Sequence, residues 1–349
     1  MTVPALRLLI VAALQSWPPS VSALPHAKVT IDRSAHNLII ELPATDLPPS
    51  SKGQTAMVNP PICQAVIPMD VSLFSVRAEV VDSQGVPLPK AFLHHFNLTD
   101  PGRRDLFLPT SLHLMAASKE TPAVRLPQLI LGLPVVRERP LIVTAMLSNP
   151  TSNAYHGVRV RWVFGFRPLG AVFPILRTYP WVMDAQFPTG ARVFGRPAFD
   201  LPPGRSVFTW DSRPAIPGYI VGIGGHVHDY AVALEFLDVT TGTVLWHAAP
   251  VRDSLGHVLS MPVRRFYNWH RIGVHVDPGH TYRVAVTYEN PTADTIQQAA
   301  MGSVAGLFVP EFGASWPGVD TTNAVYQRDL SDALTADDMS HMTTSAGIR

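Results

Sequence analysis

Leu141-Ile142-Val143-Thr144-Ala145-Met146-Leu147, running into Asn149-Pro150-Thr151, and Tyr282-Arg283-Val284-Ala285-Val286-Thr287-Tyr288, running into Asn290-Pro291-Thr292, are the stretches that decide the fold. Each is an apolar strand closed by an Asn-Pro turn, in which Asn bonds the backbone that follows it and Pro ends the ladder. Further out, Val76-Arg77-Ala78-Glu79-Val80-Val81-Asp82 alternates before a turn at Ser83-Gln84-Gly85. The same arrangement returns at Val232-Ala233-Leu234-Glu235-Phe236-Leu237-Asp238 before Thr240-Thr241-Gly242. The order of the two pairs is preserved, so the chain reads as an internal duplication. This predicts an all-β protein of two tandem β-sandwich (jelly-roll-like) domains, an N-terminal one over 55–170 and a C-terminal one over 171–315.

Composition supports strands over helices. The 34 prolines and 23 glycines interrupt the 349 residues too often for long helices, while 46% apolar residues suffice for two cores. Lys and Arg total 27 against 26 Asp and Glu, with no long run of one sign, which argues against nucleic acid or an anionic membrane surface as partner. Met1 to Ala23 has one positive charge at Arg7, an apolar run from Leu8 to Leu14 and small residues at Val21-Ser22-Ala23, the pattern of a cleaved signal peptide. A secreted or periplasmic protein follows, and no later run is long and apolar enough to span a bilayer. Residues 24–54 read as an N-terminal arm. The polar tail over 316–349 reads as disordered, with room for a short helix from Asp332 to Met339. The single cysteine, Cys63, allows no internal disulfide and reads as a buried apolar residue.

Three motifs carry candidate chemistry. In Gly224-Gly225-His226-Val227-His228-Asp229-Tyr230 the two imidazoles stand at i and i+2, on one face of a strand, where they can share a metal. The two glycines permit close backbone approach, and Asp229 or a backbone carbonyl is placed to orient a ring. A pair of imidazoles without a metal remains the alternative. A metallo-hydrolase His-x-His-x-Asp-His pattern is excluded, because Asp229 follows His228 directly. In Leu93-His94-His95-Phe96 the histidines are adjacent and point to opposite faces of a regular strand, so they can share one ion only at a bulge or strand end. Met301 offers a thioether, a soft donor suited to Cu(I) beside imidazoles and hardly used by zinc. Alone it would read as a core residue. His270 reads as a hydrogen-bonded core histidine or an extra ligand, and His247, His257 and His280 as exposed turn residues.

Together these motifs resemble the copper type II, ascorbate-dependent monooxygenases, the family of the peptidylglycine hydroxylating enzyme and dopamine β-hydroxylase. The resemblance covers most of the mature chain loosely and makes it a distant relative. It implies that His226, His228 and Met301 hold an oxygen-activating copper and that His94 and His95 hold an electron-transfer copper. It further implies one or two copper ions, O₂ and a small-molecule substrate, with ascorbate or another reductant supplying electrons for C–H hydroxylation. The family's third histidine at the first copper falls on the strand before the Asn-Pro turn, where this chain has Met146; His113 and His156 lie nearby as substitutes. The residues that hold a peptide carboxylate in the family are here Gly224 and Ala305, so a peptidylglycine substrate is not expected. A non-catalytic copper carrier of the same fold and a metal-free interaction module are the alternatives.

Overall fold

Alternation fixes what each strand buries. In Tyr179–Asp184 it is Tyr179, Trp181 and Met183 that turn inward, and in Ala231–Asp238 the buried set includes Leu234 and Phe236. The computed structural model describes residues 19–51, 55–119, 121–170, 172, 174–185, 199–253, 257–268 and 270–335. The chain is all-β: among the described residues the helical segments are Pro19–Ser22, the 3₁₀ turn Lys90–Phe92 and Ala324–Thr335.

Four main sheets surround two apolar cores. The first half has an eight-stranded sheet ordered Lys28–Asp32, Asn37–Glu41, Tyr155–Pro168, Val71–Val81, Leu131–Val135 and Leu176–Arg177, with two short strands on its flanks. Facing it is a five-stranded sheet ordered Ala56–Val58, Pro140–Asn149, Leu93–Arg104 and Ser111–Ala117, with Cys63–Val66 also on the Pro140 strand. Phe96 from one sheet stacks on Trp162 from the other at 4.5 Å between ring centroids. Each ring is fully buried and contributes on the order of 3 kcal/mol by its removal from water. In the second half, a sheet ordered Tyr179–Asp184, Gly302–Pro310, Gly218–Val227 and Arg264–Arg265 faces one ordered Gly204–Ser212, Tyr282–Asn290, Ala231–Asp238 and Thr243–Ala248. Trp181 and Phe236 meet across that gap at 5.3 Å.

The halves repeat one another in topology. In both, the strand ending in Asn-Pro lies inside its sheet, followed outward by two consecutive strands: Leu93–Arg104 then Ser111–Ala117, and Ala231–Asp238 then Thr243–Ala248. The turns match atom for atom. Asn149 Nδ2 donates to Pro48 O and Asn153 O while its Oδ1 accepts from the Thr151 amide and hydroxyl. Asn290 repeats the set with Leu201 O, Asp294 O and Thr292. The other sequence correspondence does not hold. Ala231–Asp238 is the counterpart of Leu93–Arg104, and Val71–Val81, beside the Tyr155 strand in the opposite sheet, is the counterpart of Gly218–Val227. The likeness of the Val76 and Val232 stretches is local. Both end on an Asp that caps its turn, Asp82 accepting from the Gln84 and Val86 amides and Asp238 from those of Thr240 and Thr241.

The N-terminal arm and the polar tail are both built into the fold. The arm is a hairpin built into the eight-stranded sheet, because Leu38 and Ile40 supply core side chains. Residues 1–18 of the expected leader lie outside the described residues, while Val21 is buried with Ile142, Tyr326 and Leu330. The polar tail contains a helix, Ala324–Thr335, earlier than expected. Asn323 caps it by accepting from the Val325 amide, and Tyr326 and Leu330, four residues apart, bury one face against the first half. Trp316 packs on both cores. Residues beyond Thr335 lie outside the described residues. Between the halves, Phe107 leaves the tip after the Leu93 strand and inserts among Trp181, Phe236 and Tyr282. Cys63 is buried and its thiol is pushed up by that burial, as expected of an unreactive core residue. No helix among the described residues is long and apolar enough to cross a membrane.

Candidate metal centre

The Gly218 strand runs antiparallel to the Gly302 strand, pairing Gly225 with Val304, His226 with Ser303 and Val227 with Gly302. Gly225 is required there: a Cβ would fall 2.2 Å from Leu234 Cδ2 and 2.9 Å from Ser303 O. Gly224 is not under the same constraint, since its nearest neighbour would be Val263 Cγ2 at 3.2 Å. The strand ends at Val227. His228 then opens a tight turn in which the Ala231 amide donates to His228 O and Tyr230 takes a left-handed φ of 71°. The rings of His226 and His228 stand 5.2 Å apart between centroids and almost perpendicular, at 85°.

His228 Nδ1 lies 3.0 Å from Ala299 O. A carbonyl only accepts, so Nδ1 carries the hydrogen and the lone pair of the neutral ring sits on Nε2, the arrangement that presents one nitrogen to a metal. Asp229 Oδ1 accepts from the Val258 amide at 2.8 Å and ties down the following hairpin.

Met301 is brought to the same place by Tyr288, a residue sequence reasoning did not single out. The Tyr288 hydroxyl accepts from the His228 amide at 3.1 Å and from the Met301 amide at 2.9 Å, and donates to Met301 O. One phenol therefore fixes the backbones of both His228 and Met301. Tyr288 is wholly buried, and burial pushes its hydroxyl up to about 12, so it remains a donor throughout the working pH range. Its sequence signal was slight: a polar-tipped aromatic two positions before the Asn-Pro turn, indistinguishable there from a core tyrosine.

His94 and His95 also meet, by the bulge that adjacent histidines need. Met146 pairs with His95 and the next residue, Leu147, pairs with Leu93, which leaves His94 as the extra residue of a β-bulge. The two rings lie 4.3 Å apart between centroids. The three supplementary histidines are placed elsewhere. His113 lies opposite Thr99, near the buried Asp105 and Asp184. His156 is largely exposed on the eight-stranded sheet, 3.1 Å from Asp46. His270 is exposed on a turn, its amide donating to Asn268 Oδ1, and so is not a core residue. His247, His257 and His280 pair with Glu235, Asp253 and Asp238 respectively, near the surface as expected.

The surroundings of His226 are small and apolar on one side and acidic on the other. Gly224 and Ala305 are directly opposite one another in the register, and Val182 is the next partner of Ala305. Ser303, opposite His226, donates its hydroxyl to Asp184 Oδ1, whose carboxyl is raised by burial. Among the described residues no cluster of three or more His, Cys, Asp or Glu side chains converges as a metal site. Two imidazoles with a thioether from Met301 form a donor set that fits copper, and Cu(I) above all.

No family model matches the sequence, and no curated protein does. Among solved structures, the chain is similar to the major capsid protein P2 of bacteriophage PM2, with 12% identity and a TM-score of 0.36 over 79% of this chain and 100% of that one. It is similar also to a structure of infectious bursal disease virus Gx strain (13% identity, TM-score 0.22, covering 84% of this chain and 75% of that one). A third is a conserved protein of unknown function from Pseudomonas aeruginosa PAO1 (7% identity, TM-score 0.17, covering 82% of this chain and 97% of that one). Likeness at these scores bears on neither activity nor partner.

Proposed function

We propose that this chain is a secreted or periplasmic copper protein of the monooxygenase type, built of two related β-sandwiches. In it His226, His228 and Met301 hold the copper at which chemistry occurs, and His94 and His95 take part in holding a second. The observation that carries this is the Tyr288 hydroxyl, which binds the backbones of His228 and Met301 at once and so ties together two distant chain positions that carry an imidazole and a thioether. Copper in that set supplies one-electron redox chemistry with the reduced state favoured by sulfur. The protein's own part is to fix the His228 tautomer through Ala299 O and to hold Met301 in place. The substrate is a small molecule, and a peptidylglycine is not favoured, since the Gly224 and Ala305 side chains offer no charge or hydrogen bond beside His226.

The test is oxygen uptake by copper-loaded protein with ascorbate, across a panel of neutral small molecules. Reductant-dependent uptake that yields a hydroxylated product, and that is lost in His226→Ala/His228→Ala, supports the monooxygenase. Copper binding without turnover leaves a copper carrier of the same fold, a reading favoured by the placement of Met146 opposite His95. Absence of copper binding leaves a metal-free interaction module.

A further inference from the structure

We infer that Met146 is the third ligand of the His94/His95 pair, making the first site a His-His-Met site for Cu(I); this rests on the copper reading above. Three observations place the thioether there. Met146 is directly opposite His95 in the antiparallel register, and facing residues project to the same side of a sheet with Cβ atoms about 5 Å apart. The bulge at His94 brings the second imidazole alongside, with 4.3 Å between ring centroids. Met146 is also buried, at 1% exposure, yet it is not among the residues of the apolar core that takes its neighbours Ala145 and Leu147. A methionine that serves only as filler packs among apolar side chains; this one is directed to the other face of its strand, where its cross-strand neighbours are His95 and, two positions along, the Asn97–Thr144 pair.

The two histidine pairs are not topologically equivalent: His94 and His95 lie at the start of the Leu93 strand, in the five-stranded sheet, whereas His226 ends the Gly218 strand, in the opposite sheet of its half, and His228 lies in the turn before the Ala231 strand. Each pair has a methionine at hand, drawn from different strands. A thioether in place of a third imidazole shifts a site toward the reduced metal. The first site thus holds copper as Cu(I) and resists its oxidation, in keeping with retention or delivery of reduced copper.

The experiment isolates the first site in His226→Ala/His228→Ala/Met301→Leu, after circular dichroism has shown that it folds. Cu(I) is added under a competing Cu(I) chelator, and the copper X-ray absorption spectrum is recorded. The expected result is one Cu(I) per chain with a sulfur neighbour; adding Met146→Leu removes the sulfur signal and weakens retention at least tenfold, while Met146→His restores retention with nitrogen only. Copper bound with no sulfur neighbour, or retention indifferent to Met146→Leu, overturns the inference. Failure of the isolated site to bind copper also overturns it and leaves the His226, His228 and Met301 centre intact, provided the unaltered chain still binds one. If the triple variant is unstable, the sulfur count per copper in the two-copper wild type and in Met146→Leu alone decides the same question.

Discussion

Tyr288→Phe removes one oxygen and keeps the ring. The phenyl group still fills its site in the second core, so no cavity forms. What is lost is the partner of three backbone groups: the His228 amide, the Met301 amide and the Met301 carbonyl. Each unsatisfied group costs about 1–3 kcal/mol when buried. His228 and Met301 are only half-buried, so water replaces part of the loss and the lower end applies. The sum is about 2–4 kcal/mol, or a fall in Tm of roughly 3–5 °C for a chain of this size. Because the same hydroxyl sets the distance between two proposed ligands, Cu(I) affinity at that site falls about 10- to 100-fold, the usual effect of removing an outer partner of a metal ligand. Calorimetry of the metal-free protein reads the first effect, and chelator competition with Cu(I) the second, with the His94/His95 site as an internal control. A Tyr288→Phe protein that melts with the wild type and holds both coppers as tightly would refute the role given to this hydroxyl.

The two glycines before His226 are predicted to differ. Gly225→Ala forces a Cβ against Leu234 and the Ser303 backbone and costs about 1–3 kcal/mol, whereas Gly224→Ala is nearly neutral; denaturant midpoints compare them. Asn149→Ala and Asn290→Ala each strip the same set of buried turn bonds, so both lose about 2–4 kcal/mol in urea titrations, and a large inequality would speak against equivalent turns. Asp105, wholly buried at the base of the loop that carries Phe107 into the second core, is pushed up to about 7 by that burial. Between about pH 4 and pH 7 it is protonated when folded and ionised when unfolded, so it contributes stability that is lost as pH rises through that window, on the order of 4 kcal/mol in all. Asp105→Asn keeps an oxygen for the Phe107 amide and should remove that slope, raising stability at pH 8 relative to wild type by a similar amount; equal pH profiles for the two proteins would count against the buried acid.

The sequence was most legible where local chemistry and long-range placement coincide. Asn149-Pro150-Thr151 and Asn290-Pro291-Thr292 read as equivalent turns because the Asn side chain makes most of its bonds within four residues, and they are equivalent in the fold. Val76–Asp82 and Val232–Asp238 misled for the same reason: an alternating strand capped by Asp is a local pattern, and which sheet receives it depends on pairings tens of residues away. The histidine pairs were visible as i, i+2 and i, i+1 spacings, and the bulge demanded by the adjacent pair is present at His94. Tyr288 was not legible, because its function lies in a hydroxyl whose partners, His228 and Met301, come from two other strand ends. The tail helix was expected from Asp332 to Met339 and instead begins at Ala324, because two apolar residues, Tyr326 and Leu330, are enough to dock twelve residues once a prepared surface exists, and that surface is made by Ile142 and Val21 from elsewhere in the chain.

The most direct measurement is the copper content of the purified protein after loading with Cu(I) and desalting, set beside His226→Ala/His228→Ala. The account predicts two coppers per chain in the wild type and one in the double variant, with the remaining copper bound at unchanged affinity. A wild type that retains no copper, or a double variant that retains as much as the wild type, would contradict it.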